Sequence, residues 1–176
     1  MVLDRLFRPK TASAPGLSLY TGAVDQARSP KLYSDLGAPD TIEGRFELYT
    51  LHVVLLLDRL RGHGARASDV SQGLFDTYVG ALDHTLREMG VGDLSVGKKM
   101  RKLGEAFYGR VKSYETAFAA LPDHQALGAL LARTVYDGAD PTRAADLAAY
   151  VLAQRATLAA QPLDGLLDGQ AWWAAP

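Results

Sequence analysis

The sequence predicts an all-α protein: a single-domain multi-helix bundle with one central helix that is apolar nearly all round. Three observations carry this. Apolar residues recur at alternating steps of three and four through most of the chain, the period of a helix with a buried face. No segment alternates apolar and polar residues as a half-buried strand would. The longest apolar run, Leu48 to Leu57, is interrupted only by Thr50 and His52 and flanked by Glu47 and Asp58. It is about half the length needed to cross a bilayer, so it belongs in a core. A chain of 176 residues can bury a sizeable core, and 48% hydrophobic with 22% charged residues is an ordinary globular balance.

The first ten residues, MVLDRLFRPK, interleave Val2, Leu3, Leu6 and Phe7 with Arg5, Arg8 and Lys10 and lack the uninterrupted apolar stretch of a signal peptide. Residues 1–16 read as a flexible lead-in to a helical domain spanning 17–176. Leu17, Tyr20, Val24 and Ala27 share a helical face that ends near Ser29 and Pro30. After a turn at Gly37-Ala38-Pro39, Asp40 and Glu43 form a capping-box pattern. Ile42, Phe46, Tyr49, Val53, Leu56 and Leu60 then mark one face of the central helix, and Gly62 and Gly64 stop it.

Ser68 or Asp69 is the expected cap of the next helix, with Phe75, Val79, Leu82, Leu86 and Met89 as its buried row and Gly90 as its left-handed end. Ser95 is the expected cap of a longer one, whose row is Val96, Met100, Leu103, Phe107, Val111, Tyr114, Phe118 and Leu121, ended by Pro122. Gly97, Gly104 and Gly109 each cost that helix about 1 kcal/mol relative to Ala, which predicts close packing against another backbone or a bend. Asp123 caps a helix to Tyr136, and Asp140 with Pro141 opens another to Gln161. Leu163 to Trp173 folds back over the bundle, with Trp172-Trp173 as a clamp on its groove. The expected shared core is Phe46, Val53, Leu56, Leu82, Leu86, Leu103, Phe107 and Val111.

Little in the chain points to catalysis. The absence of cysteine excludes disulfides, zinc-thiolate sites and thiol chemistry. Gly92 to Lys99 matches a phosphate-binding loop until Lys99 replaces the hydroxyl that holds magnesium, and no strand precedes it. Ser95 falls one glycine short of a nucleophile elbow. His52, His63, His84 and His124 lie on separate elements without ligand spacing, so no metal, cofactor or catalytic residue is assigned. His52 is expected to be a hydrogen-bonded core histidine. Nineteen Lys and Arg against twenty Asp and Glu, a net charge of -1, speaks against a DNA-binding role.

The segment REMGVGDLSVGKKMRKLGEAFYGR, from Arg87 to Arg110, is different. A helix begun at Ser95 carries Lys98, Lys99, Arg101 and Lys102 in its first two turns, where the macrodipole disfavours cations. Such an end attracts anions: phosphate, anionic lipid or an acidic protein surface. The competing assignment is a solvated face screened by salt and by Glu105. The candidate partner-binding residues are Lys98, Lys99, Arg101 and Lys102, with Arg87 at the head of the segment and Tyr108, which lies off the core row beside Phe107. Arg45 is expected instead to pair with Asp40 or Glu47.

LYTGAVDQARSPKLY from Leu19, GAPDTIEGRFELYTLHVVLLLDRL from Gly37 and REMGVGDLSVGKKMRKLGEAFYGRVKSY from Arg87 together resemble the ubiquinol:cytochrome c reductase assembly chaperone family. The turn at Pro39-Asp-Thr41 before Gly44-Arg45-Phe46, and that at Gly90-Val-Gly-Asp93 before Gly97-Lys-Lys99, are specific in combination. Ala38 stands where a bulkier apolar residue is expected, and the C-terminal third matches only in helical character.

The resemblance implies a non-enzymatic chaperone for respiratory complex III that holds newly made cytochrome b, and the residue pattern suggests that it does so through the cationic helix and an adjoining apolar surface. Mitochondrial members act with a small partner protein and near the ribosome. Without their long N-terminal extension this chain resembles the bacterial form, expected in the cytoplasm or peripheral to the cytoplasmic face of the inner membrane. Two other classes compete: an RNA- or ribosome-binding module using the basic cluster, and a peripheral protein on anionic membrane using that cluster with the N-terminal segment.

Overall fold

Ser13 caps the first helix: its hydroxyl accepts a hydrogen bond from the Gly16 N–H at 3.3 Å, and Pro15 sits in the first turn, where a missing N–H costs nothing. Helix α1 therefore runs Ala14–Ala27, taking in residues the sequence assigns to a lead-in. The computed structural model describes residues 13–138 and 141–176, and every regular element in them is a helix. The amphipathic residues 2–10 and Asp140, the expected cap before Pro141, lie outside the described residues.

The remaining helices are α2 (Pro30–Ser34), α3 (Ile42–Leu60), α4 (Gly64–Glu88), α5 (Asp93–Ala119), α6 (Gln125–Thr134), α7 (Pro141–Ala160) and α8 (Leu163–Leu167). Three starts differ from expectation. Thr41 rather than Asp40 caps α3, because its extended backbone aims its hydroxyl at the Gly44 N–H, 3.1 Å away. Asp40 is thereby left to bind Arg45 at 2.6 Å, the pairing foreseen for that arginine. Helix α4 begins at Gly64, ahead of Ser68 and Asp69, without a side-chain cap. It ends as expected, with Gly90 at φ 78. Helix α5 begins two residues before Ser95, since Gly92 takes the extended capping conformation and accepts from the Ser95 and Val96 N–H groups.

Helix α3 is the axis of the bundle, with α1, α4, α5 and α7 packed around it. Leu48, Leu51, Val53, Val54, Leu55, Leu56 and Leu60 are all buried, which a helix apolar on every side requires. Ala38 is buried too, so its small side chain fills the space given to it. Helices α6 and α7 pair beside this axis, and α8 lies against α1 and α4.

His52 is a satisfied core histidine. Its Nδ1 lies 2.8 Å from the Leu48 carbonyl oxygen and its Nε2 2.7 Å from the Tyr150 hydroxyl. Complete burial pulls its pKa down to about 4, so the ring is neutral in the fold.

The C-terminal tail closes over that histidine. The Gln154 side chain donates to the Ala174 carbonyl and accepts from its N–H, both at 2.8 Å. Gln161 does the same for Trp172, both at 2.7 Å. Two buried glutamines seven residues apart thus hold the tail as a neighbouring strand would, and seat Trp173 with its ring 5.2 Å from that of His52. Trp172 stays exposed. The clamp is therefore one tryptophan plus backbone pairing.

Glycine positions are redistributed. Gly97 and Gly109 face open space, so they mark no close approach. The intimate contact lies instead where α1 crosses α4, at Gly16 and Gly73.

Candidate functional site

Of the eight residues expected to share the core, Val53, Leu56 and Phe107 are buried, and Phe46, Leu82, Leu86, Leu103 and Val111 are half-buried, with Phe46, Leu82 and Val111 packed against the core from its edge. The apolar row of α4 continues past Tyr78 with one side left uncovered. Leu82, Leu86 and Met89 form one wall of an open groove of about 520 Å³. Tyr20 and Val24 of α1 line it as well, because the buried row of that helix is Gly16, Leu19, Ala23 and Ala27. Phe46 and Leu103 line it from α3 and α5, and Ile42 stands at its edge. Ile42 is 63% exposed and Met89 53%, large apolar surfaces that folding alone leaves uncovered.

The groove mixes apolar walls with the exposed Arg28, Glu43, Arg45 and Thr85, and one buried charge, Glu47, lines it as well. Glu47, on the central helix and only 7% exposed, is held by Arg110 of α5 through two hydrogen bonds, 2.8 and 2.7 Å. That fork geometry is the strong form of a carboxylate pair. One turn beyond Arg110, the Tyr114 side chain is fully buried beside Thr134, and burial is the chief cause of its raised pKa. Tyr78 is also raised by burial, and its hydroxyl shares a 2.7 Å hydrogen bond with Thr50. Along the α1 rim, Arg28 donates to the Tyr49 hydroxyl at 3.1 Å, the chief cause of its raised pKa.

The cations of α5 divide. Lys99 precedes Leu103 by one turn and shares its face, although none of the four lines the groove. Lys98 and Lys102, one turn apart, share the adjoining flank, and Arg101 lies on the far side of the helix. All four are exposed and none forms an ion pair with another described residue. Because α5 starts at Asp93, they occupy its second and third turns, and the favourable acidic first-turn residue is present after all.

The other two candidates stand apart from the groove. Arg87 binds Asp83 at 2.7 Å and Asp93 at 2.5 Å, so it staples the turn between α4 and α5. Tyr108 leans on Phe75 and Phe107, each with ring centroids 5.8 Å away, and does not line the groove. Gly92 to Lys99, the phosphate-loop lookalike, is the cap and first two turns of α5 and follows a helix rather than a strand.

A second cleft of about 590 Å³ lies between α3 and α7. Its charges are already engaged: Arg155 binds Asp58 at 2.8 Å, and Arg59 donates to the Leu158 and Gln161 carbonyls. Among the described residues no three His, Asp or Glu side chains gather as a metal site, and no helix is long and apolar enough to cross a membrane.

Sequence reasoning expected an apolar surface beside the cationic helix but missed which residues line the groove, and it missed the Glu47–Arg110 pair. One signal was available for the pair: a glutamate directly preceding an apolar run on an otherwise buried helix needs a cation to hold it.

A family model described as ubiquinol-cytochrome C chaperone matches residues 34–173. The chain is 25% identical over 162 residues to ubiquinol-cytochrome-c reductase complex assembly factor 1 of Xenopus laevis, covering 89% of this chain and 79% of that protein. It is 26% identical to the Mus musculus protein of the same description, covering 89% of this chain but 54% of the mouse protein. The crystal structure of the Cbp3 homolog from Brucella abortus superposes with a TM-score of 0.84 at 36% identity, over 99% of this chain and 97% of that one.

Proposed function

Because the chain belongs to the family of ubiquinol–cytochrome c reductase assembly chaperones, we propose that its client is newly made cytochrome b, held without any catalytic step. The carrying observation is the open apolar groove between α1, α3, α4 and α5. A membrane-protein client awaiting insertion exposes apolar helical segments with charged loops at their ends. The groove covers part of one such segment, and Lys99, one turn before Leu103 on the same face, holds an acidic residue flanking it.

Lys98, Arg101, Lys102 and Tyr108, off the Leu103 face, serve a second contact with a small partner protein, the ribosome or an anionic membrane surface. Arg87 contributes by fixing the hairpin that carries both faces. The protein then works in the cytoplasm, peripheral to the inner membrane into which its client inserts.

The test is a photo-crosslinker placed at Met89 in a tagged copy expressed in its own cells. A light-dependent adduct containing cytochrome b peptides is the expected result. Adducts confined to other proteins, with normal cytochrome b accumulation in cells lacking the chain, overturn the assignment.

A further inference from the structure

The structure points to a specific demand that the groove makes of its occupant, and this rests on the groove being the client site. We propose that the groove recognises an apolar helix bearing one hydrogen-bond donor in its middle, and that the Glu47 carboxylate is the acceptor.

Glu47 lines the groove while nearly all of its surface is buried. Each of its oxygens receives one hydrogen bond from Arg110. A carboxylate offers about four acceptor positions, so acceptor capacity remains on the groove side. Folding does not call for this pair: apolar residues of similar volume in place of a buried ion pair commonly leave stability unchanged or higher.

The surrounding walls select the rest of the occupant. Val24, Ile42, Phe46, Leu82, Leu86 and Met89 offer apolar contact, while the exposed Arg28, Glu43, Arg45 and Thr85 also line the groove and can meet polar ends. A segment that is polar throughout loses its water against the apolar residues without compensation, and one that is apolar throughout leaves the free acceptor sites of Glu47 desolvated. The segment that satisfies both is a helix from a membrane protein with a single Ser, Asn or Lys side chain near its centre.

The experiment uses the full chain and fluorescent leucine–alanine host peptides of about five helical turns with acidic ends, differing only at the central residue: Ala, Ser, Asn or Lys. Fluorescence anisotropy should show the Ser, Asn and Lys peptides bound about tenfold more tightly than the Ala peptide. Glu47→Leu combined with Arg110→Leu removes both charges together, and with its fold checked by circular dichroism it should bind all four alike. Glu47→Gln, which keeps shape, should lose most of the preference for Lys.

Equal binding of all four peptides to the unaltered protein overturns this inference and leaves the groove as client site. Binding of none overturns both. A preference that survives in the two variants excludes Glu47 as the acceptor.

Discussion

Gly16 and Gly73 meet backbone to backbone. A Cβ built on Gly16 would stand 2.4 Å from the Gly73 carbonyl carbon and 2.6 Å from the Leu74 nitrogen, closer than any real methyl approaches main chain. This contact sets how deeply α1 lies against α4. Because Tyr20 and Val24 follow Gly16 by one and two turns, it also sets the position of the groove's α1 wall.

Gly16→Ala should therefore destabilise the protein by about 2 kcal/mol, the cost of overpacking a site where backbone must yield. Gly97→Ala, inside α5 with nothing near its Cβ, should stabilise by about 1 kcal/mol. Urea unfolding of both variants checks the contrast, and equal effects would refute the crossing as described.

Stability should fall as the pH drops through the range between the ordinary histidine value of 6.5 and the value of about 4 that burial imposes on His52. In that window the unfolded chain binds a proton that the folded chain refuses, so acid favours unfolding. The contribution accumulates to about 3 kcal/mol by the lower end. His52→Gln should be less stable near neutrality yet show a flatter decline with acid. Unfolding midpoints measured across the window for both proteins give the difference, and parallel slopes would count against a neutral buried His52.

Met89→Glu should leave stability within about 0.5 kcal/mol, since Met89 is 53% exposed and packs little. The same change places a charge on the apolar wall, so client capture should drop at least tenfold. Thermal unfolding paired with recovery of cytochrome b on the tagged protein reads both. Undiminished recovery removes this wall from the site.

The α5 cations should separate by face. Lys99→Glu should abolish support for cytochrome b accumulation, whereas Arg101→Glu should retain it, because Lys99 shares the Leu103 face and Arg101 lies nearly opposite. Neither change should lower the melting temperature by more than a few degrees, as both side chains are exposed and lie past the first turn, where the macrodipole is weak. Equal behaviour of the two variants in cells would assign the cations to a contact unrelated to the groove.

The sequence by itself determined the helices, the central place of α3, the left-handed end at Gly90, the buried state of His52 and the return of the C-terminal tail. All of these follow from local pattern: apolar spacing, a glycine after a helical row, a ring in an apolar run that requires a partner. The family likeness was legible for a related reason, since it rests on short turn motifs that read linearly.

Tertiary structure alone decided which apolar faces are covered. Leu82, Leu86 and Leu103 carry the same periodic signature as Leu51 or Leu56, and no property of their own helices separates a core position from a groove wall. The difference lies in whether another element arrives to exclude water. The same holds for Arg110 and Glu47, 63 positions apart, and for Gly16 and Gly73, which need their small size only because α1 happens to cross α4 there. Burial is a relation between elements, and periodicity within one of them reports only the surface it offers.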